Sequence, residues 1–194
     1  MTTLVLPTAK RTYSTAFWGM VTLIATEMMV FVILLGSYFF LRASSPHWPP
    51  GGIPAPELRL SVPFSFVLWG SSIPVVYAEA AIRRDHQRGL RIGLLVSALM
   101  GLAFVGYTIV DFRDLHFGWR TNAYSSMFYT IVGLHALHVV IGLAMNGLVQ
   151  IKAWQGKFTS HRHTTVEVFG LYWHFVDAVW ILVFGSLFLS EALR

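Results

Sequence analysis

The sequence predicts an all-α, polytopic membrane protein in which residues 1–194 form one bundle of five transmembrane helices. Hydrophobic residues make up 55% of the chain and charged residues only 12%, a balance typical of membrane proteins. Five apolar runs are each long enough to cross a bilayer, which takes roughly 20 helical residues. Short segments rich in proline, glycine or charge separate these runs.

The charge and the cysteine content of the chain argue against several classes of function. The net charge of +5 does not indicate a nucleic-acid partner, because the basic residues lie in short loops between apolar runs. The chain has no cysteine, which excludes a disulfide framework and a thiolate metal site. Nucleophile motifs, phosphate-binding loops and nucleotide fingerprints are absent, so we predict no catalytic residue in this chain.

The first span is predicted over 16–41 and is interrupted by Glu27 near its middle. The residues three and four positions away are all apolar: Leu23, Ile24, Val30 and Phe31. Glu27 must therefore find its partner on another helix or be held protonated by desolvation. Two roles stay open, a proton-relay or channel-lining carboxyl and an acid that fixes helix packing. The stretch 42–61, with PHWPPGGIPAP, is predicted to be a turn-rich loop.

The second span is predicted over 62–82 and the third over 90–110. Pro74 follows two serines in the second span, and a proline inside a helix predicts a kink whose freed carbonyls bind hydroxyls or neighbouring helices. In the third span small residues recur at four-residue steps: Gly93, Ser97 and Gly101. This spacing predicts a face for close helix contact. A loop from 111 to 123 follows.

The fourth span, predicted over 124–151, places His135 and His138 on one face. Histidines suggest metal or haem ligation, but carboxylate-bridged di-metal bundles use Glu-x-x-His on each of two helices plus two further glutamates. This chain has His-x-x-His once and no Glu-x-x-His. We therefore favour interhelical hydrogen bonds from these histidines to acids such as Glu27 or Asp177, and we predict no metal site.

The fifth span is predicted over 165–190 and carries Glu167, His174 and Asp177 on one side of the helix. A charge at the centre of a membrane helix costs about 2.5–3.5 kcal/mol, so this polar face must pack against protein, water or a partner. The run Thr164 to Glu167 also fits a helix capping box. For Asp177 we favour a buried pair with His174. The flanking Trp173 and Trp180 are expected at an interface or in contact with lipid.

The basic residues predict an N-in, C-out orientation. With the N-terminus inside, nine basic residues lie on the inner side: Lys10, Arg11, Arg83, Arg84, Arg88, Arg91, Lys152, Lys157 and Arg162. Five lie outside: Arg42, Arg59, Arg113, Arg120 and Arg194.

Four stretches in order resemble subunit III of cytochrome c oxidase, in the haem–copper oxidase superfamily. The segment YWHFVDAVW (172–180), preceded by Glu167, resembles the last helix of that family. The others are similar to its buried-glutamate span, its tryptophan-proline-proline loop and its histidine helix: ATEMMVFVILLGSYFF (25–40), HWPPGGI (47–53) and YSSMFYTIVGLHALHVVIGL (124–143). The pair Asp111-Phe112 departs from the family, where a glutamate followed by an aromatic residue is expected.

The resemblance implies a five-helix short form of subunit III, in the cell membrane of a bacterium. Such a chain has no cofactor of its own, while the partner subunits I and II hold haem and copper. It binds phospholipid, packs on the catalytic subunit, and supports proton uptake and protects the enzyme during turnover. The family's buried polar positions correspond here to Glu27, His135, His138, Glu167, His174 and Asp177.

The amino-acid sequences of the WPP loop and of YWHFVD resemble those of aa3-type cytochrome c oxidases more than those of quinol oxidases or of homologues associated with nitric oxide reductase. A freestanding transporter is disfavoured, because five helices without a repeat do not match that architecture. Membership of a larger respiratory supercomplex stays open.

Overall fold

The computed structural model describes residues 14–53 and 58–190. In this part of the chain six α-helices follow one another: α1 (Thr15–Ala43), α2 (Leu58–Gly70), α3 (Ser72–Arg83), α4 (Gln87–Asp114), α5 (Ala123–Trp154) and α6 (Thr164–Phe184). A short 3-10 turn forms at Pro50–Gly52, and α6 continues into a π-helical turn at Gly185–Leu189. The described residues contain no β-strand, only an isolated bridge between Thr159 and Arg162.

Five helical spans of the described residues are long and apolar enough to cross a membrane, as predicted. They are α1, α2 with α3 (Leu58–Arg83), α4, α5, and α6 with the turn that follows it (Thr164–Leu189). Several helices extend beyond the predicted limits, since α1 continues to Ala43 and α2 begins at Leu58 rather than at 62.

Helix α6 lies at the centre of the bundle and contacts α1, α2, α3 and α5. In its most apolar stretch 61% of the residues are buried, against 11% for α1. Helix α4 completes the bundle by packing on α2, α3 and α5. Three polar side chains of α6 contact α3, namely Glu167, His174 and Asp177, which makes α6 the scaffold of the candidate site.

The break between α2 and α3 lies at Ser71 and confirms the predicted kink. Pro74 has no N–H group, and its ring excludes the carbonyl one turn earlier from the regular helix pattern. The Ser71 hydroxyl donates to the Leu68 carbonyl at 2.5 Å, so a serine meets a carbonyl near the break, as the sequence predicts. The break also places Ser72 against α6, where it becomes part of the candidate site.

The stretch between α1 and α2 folds over one end of the bundle. The buried indole of Trp48 donates to the Tyr38 hydroxyl at 3.3 Å and meets the ring of Tyr124 edge-on. The Asn122 side chain, at the start of α5, donates to the Pro50 carbonyl at 2.8 Å. Residues 54–57 of the predicted loop lie outside the described residues.

The small-residue face predicted in α4 makes close helix contacts. A methyl group added at Gly93 would lie 2.5 Å from the Pro74 carbonyl oxygen, and one at Gly101 would lie 2.8 Å from the Trp173 ring. Between them the Ser97 hydroxyl accepts a hydrogen bond from the Asn146 amide of α5 at 3.0 Å. The absence of side chains at the two glycines allows α3 and Trp173 to pack directly on α4.

Candidate functional site

Glu27 of α1 finds its partner on α5, as one of the two sequence alternatives required. The His138 Nε2 atom lies 3.1 Å from Glu27 Oε2, and Nδ1 of the same ring lies 2.8 Å from the Leu134 carbonyl. The carbonyl can only accept, so Nδ1 carries a proton. The bond between His138 and Glu27 then needs one further proton, held by the imidazole or by the carboxyl. This pair can therefore hold a single proton between two helices.

His135 does not make the predicted hydrogen bond to an acid, and that prediction is wrong. The ring is fully buried, and neither nitrogen has a hydrogen-bond partner among the described residues. It stacks on Trp180 with ring centroids 4.6 Å apart, and Phe104 meets it edge-on at 5.9 Å. Phe31 of α1 also meets the His135 ring edge-on at 6.4 Å, so His135 lies among aromatic side chains of α1, α4 and α6.

His174 and Asp177 meet through Ser72 instead of pairing directly, which corrects the sequence interpretation. The Ser72 hydroxyl lies 2.8 Å from His174 Nδ1 and donates to Asp177 Oδ2. The other carboxylate oxygen, Asp177 Oδ1, is buried without a hydrogen-bond partner among the described residues. Ser72 was missed as a site residue, although its position beside the proline kink was the signal that could have identified it.

Trp173 and Trp180 lie inside the bundle and not at a lipid-facing surface. The indole of Trp173 donates to the Ser71 hydroxyl at 2.8 Å, and that of Trp180 donates to the Ser65 hydroxyl at 2.9 Å. Both side chains are almost completely buried. The expectation that they contact lipid is therefore corrected, because serines of α2 and of the kink satisfy the indole N–H groups within the chain.

Glu167 connects α6 to α3 and does not form the predicted capping box. Helix α6 begins at Thr164 with His163 as its cap, and no side chain caps its first turn. Glu167 Oε1 lies 3.3 Å from Arg83 and 3.3 Å from His163 Nε2. The carboxylate thus joins an ionic contact between helices and lies apart from the Ser72 cluster, which is defined here as Ser72, His174 and Asp177.

The turn between α3 and α4 is attached to the segment between α5 and α6. Hydrogen bonds from the side chain and backbone of Ser160 lower the pKa of the Asp85 carboxyl below its ordinary value, and the Ser160 N–H lies 2.5 Å from that carboxylate. The Gln87 amide also donates to the Phe158 carbonyl at 2.8 Å. These contacts hold the two connections together at one end of the bundle.

The predicted site residues therefore form separate local contacts. Within the described ranges, no three or more His, Cys, Asp or Glu side chains converge as a metal site would require. Glu27 with His138 and the Ser72 cluster instead join helices of this chain by hydrogen bonds.

Comparison with known proteins decides the family. The profile described as cytochrome c oxidase subunit III matches residues 9–191, a range that includes all five spans. The chain belongs to this family. It is similar to cytochrome c oxidase subunit 3 of Thermostichus vulcanus, with 34% identity over 88% of this chain and 85% of the relative.

Other relatives carry the same description. The subunit 3 of Synechocystis is 36% identical over 89% of this chain and 74% of the relative, and that of Alkalihalophilus pseudofirmus is 31% identical over 89% and 85%. Membership of the subunit III family confirms the resemblance found in the sequence. The chain is therefore a multi-pass membrane subunit of a haem–copper oxidase, in a complex with catalytic subunits, and the family has no redox cofactor of its own.

Proposed function

We propose that this chain is the subunit III of a bacterial aa3-type cytochrome c oxidase, which stabilises the catalytic subunit and supports proton uptake during oxygen reduction. The observation that carries the proposal is the match to the subunit III family along all five spans, with relatives described as cytochrome c oxidase subunit 3. The cytochrome c type is further supported by HWPPGGI and YWHFVDAVW. Subunits I and II and membrane phospholipid are the proposed partners, in the bacterial cell membrane.

The proposed role in the complex is supported by the hydrogen bonds that polar side chains make between helices inside the bundle. Glu27 with His138, and the Ser72 cluster, join α1 to α5 and α3 to α6. These bonds hold α1 against α5 and α3 against α6, because polar groups in hydrocarbon are costly to separate from their partners. A bundle held in this way can cover part of the surface of the catalytic subunit. It can also keep the environment of the proton-entry site on that subunit unchanged during turnover.

Removing this subunit tests the proposal. We expect the depleted oxidase to keep normal haem spectra and appreciable initial turnover, and then to inactivate faster than the complete enzyme, because the redox centres lie in the partners. The measurement is oxygen consumption over time, with haem spectra recorded on the same samples. Immediate loss of a haem band on depletion would show that this chain supplies a haem ligand. Equal rates of inactivation in the depleted and the complete enzyme would refute the protective role.

The proposed N-in, C-out orientation can be tested with single cysteines, because the chain has none of its own. Arg88→Cys lies at the exposed start of α4, and Arg120→Cys lies exposed between α4 and α5. We expect impermeant thiol reagents to label position 120 in intact cells, and position 88 only after the membrane is opened. The reverse pattern would overturn the orientation, and each variant serves as the control for the other.

A further inference from the structure

One stripe of α6 faces outward from the bundle. It consists of Leu171, His174, Ala178, Ile181 and Gly185, spaced three or four residues apart so that they follow one side of the helix. Ile181 is 57% exposed, and a methyl group added at Gly185 would meet nothing within 4 Å. These five residues, called the α6 stripe here, run from α6 into the π-helical turn at Gly185, and they form a surface that is open to another molecule.

His174 places an unmet polar atom in the middle of this stripe. Ser72 has one hydroxyl proton and donates it to Asp177, so the Ser72 oxygen accepts a hydrogen bond from His174 Nδ1–H. The Nε2 atom of the neutral imidazole then carries a lone pair. Nε2 has no hydrogen-bond partner among the described residues, and it is not among the enclosed polar atoms of the chain. An acceptor atom is therefore presented outward.

The depth of His174 limits what can satisfy this acceptor. The residue follows the start of α6 at Thr164 by ten positions, which corresponds to about 15 Å of helix. Lipid tails at that depth offer no hydrogen-bond donor, and headgroups lie near the helix ends. A neighbouring transmembrane helix can carry a donor to this depth.

We propose that the α6 stripe is a docking surface for a transmembrane helix of the catalytic subunit, with a hydroxyl, amide or indole group of that helix donating to His174 Nε2. The small residues Ala178 and Gly185 follow His174 along the stripe and allow a second helix to approach closely there. This inference rests on the proposed function, because it requires a catalytic subunit beside this chain. It assigns the interface with the catalytic subunit to the α6 stripe and to one hydrogen bond at His174 Nε2.

Photocrosslinking in the assembled oxidase tests the location. A benzoylphenylalanine placed at Ala178 is expected to crosslink to the catalytic subunit. The matched controls are outward positions on other helices: Leu99 of α4 (59% exposed), Leu137 of α5 (53%) and Ile33 of α1 (64%). If a control position captures the catalytic subunit while Ala178 captures lipid alone, the docking inference fails and the proposed function stands. If no position captures it, the proposed function fails as well.

A pair of substitutions tests the hydrogen bond itself. His174→Asn keeps a polar atom near the position of Nδ1, facing Ser72, and removes the outward acceptor, whereas His174→Gln places an acceptor near the position of Nε2. We expect the asparagine variant to dissociate from the detergent-solubilised oxidase roughly threefold to tenfold faster than wild type, the range for one interhelical hydrogen bond in a membrane. The glutamine variant should stay within about twofold of wild type.

The ranking of the two variants decides the outcome, provided that both accumulate in the membrane. A structural role limited to the Ser72 cluster would favour asparagine over glutamine, and that order would overturn the proposal. Equal retention of the two variants, whether high or low, would overturn it too. The readout is the fraction of this subunit that stays bound to the catalytic subunit over time.

Discussion

Trp173→Ala is expected to reduce sharply the amount of folded subunit in the membrane and to lower the thermal stability of the complex. The indole is completely buried, and its ring lies against the backbone of α4 and α5, where methyl groups added at Gly101 and at Gly142 would each be 2.8 Å away. Truncating a buried tryptophan costs about 3–5 kcal/mol. The change also removes the donor that binds Ser71 at 2.8 Å, so the kink between α2 and α3 loses one of its contacts with α6.

The same contact predicts the effect of adding volume beside the ring. Gly101→Ala and Gly142→Ala should each destabilise the subunit, because the new methyl group would press on the Trp173 ring, which is held by packing on all sides. The chain offers a matched control in each helix, since methyl groups added at Gly106 of α4 and Gly147 of α5 meet nothing within 4 Å. Alanine at these positions should be neutral or stabilising by up to about 1 kcal/mol, from helix propensity.

Subunit content per haem and the melting temperature of the purified oxidase measure these effects. Trp18→Ala, at a side chain of α1 that is 58% exposed, controls for the loss of an indole as such. If oxidases carrying Gly142→Ala and Gly147→Ala had the same melting temperature, the close packing of Trp173 between α4 and α5 would be refuted. Wild-type stability of Trp173→Ala would refute its packing role.

The second large effect is expected at Glu27 and His138. His138→Leu leaves the Glu27 carboxyl without the bond that spans 3.1 Å to α5, and an unsatisfied polar group in an apolar environment costs about 1–3 kcal/mol. Glu27→Lys should impair assembly more strongly, because a lysine at a helix centre in the membrane costs about 2.5–3.5 kcal/mol. Glu27→Gln should be tolerated, since the amide keeps an oxygen and can also donate to the ring.

A double substitution separates the bond from the packing around it. Glu27→Leu combined with His138→Leu should assemble better than His138→Leu alone, because both polar partners are replaced by apolar groups. Assembly is measured as the subunit content of the purified oxidase. A double variant that assembles no better than the single one would show that His138 acts through its packing on Phe31, whose ring centroid lies 5.2 Å away. Normal assembly of Glu27→Lys would show that Glu27 does not face the bundle.

Much of the fold could be predicted because it depends on local properties of the chain. The number of spans follows from the length of the apolar runs, since about 20 helical residues cross the hydrocarbon. Pro74 predicts the break between α2 and α3, because proline cannot complete the helix pattern. The spacing of Gly93, Ser97 and Gly101 predicts the close face of α4. That Glu27 needs a partner on another helix or protonation by desolvation follows from the apolar residues one turn away on each side.

Only the tertiary structure decided which residues meet. Helical periodicity shows which side chains share a face but not the direction in which that face points, so the sequence did not reveal that Trp173 and Trp180 are enclosed or that His135 faces aromatic rings. The contacts of the site join distant segments: Ser72 lies 105 positions before Asp177, and Glu27 lies 111 positions before His138. Such pairs depend on the order and rotation of the packed helices. Those are determined by packing of the whole bundle, which no local pattern in the sequence records.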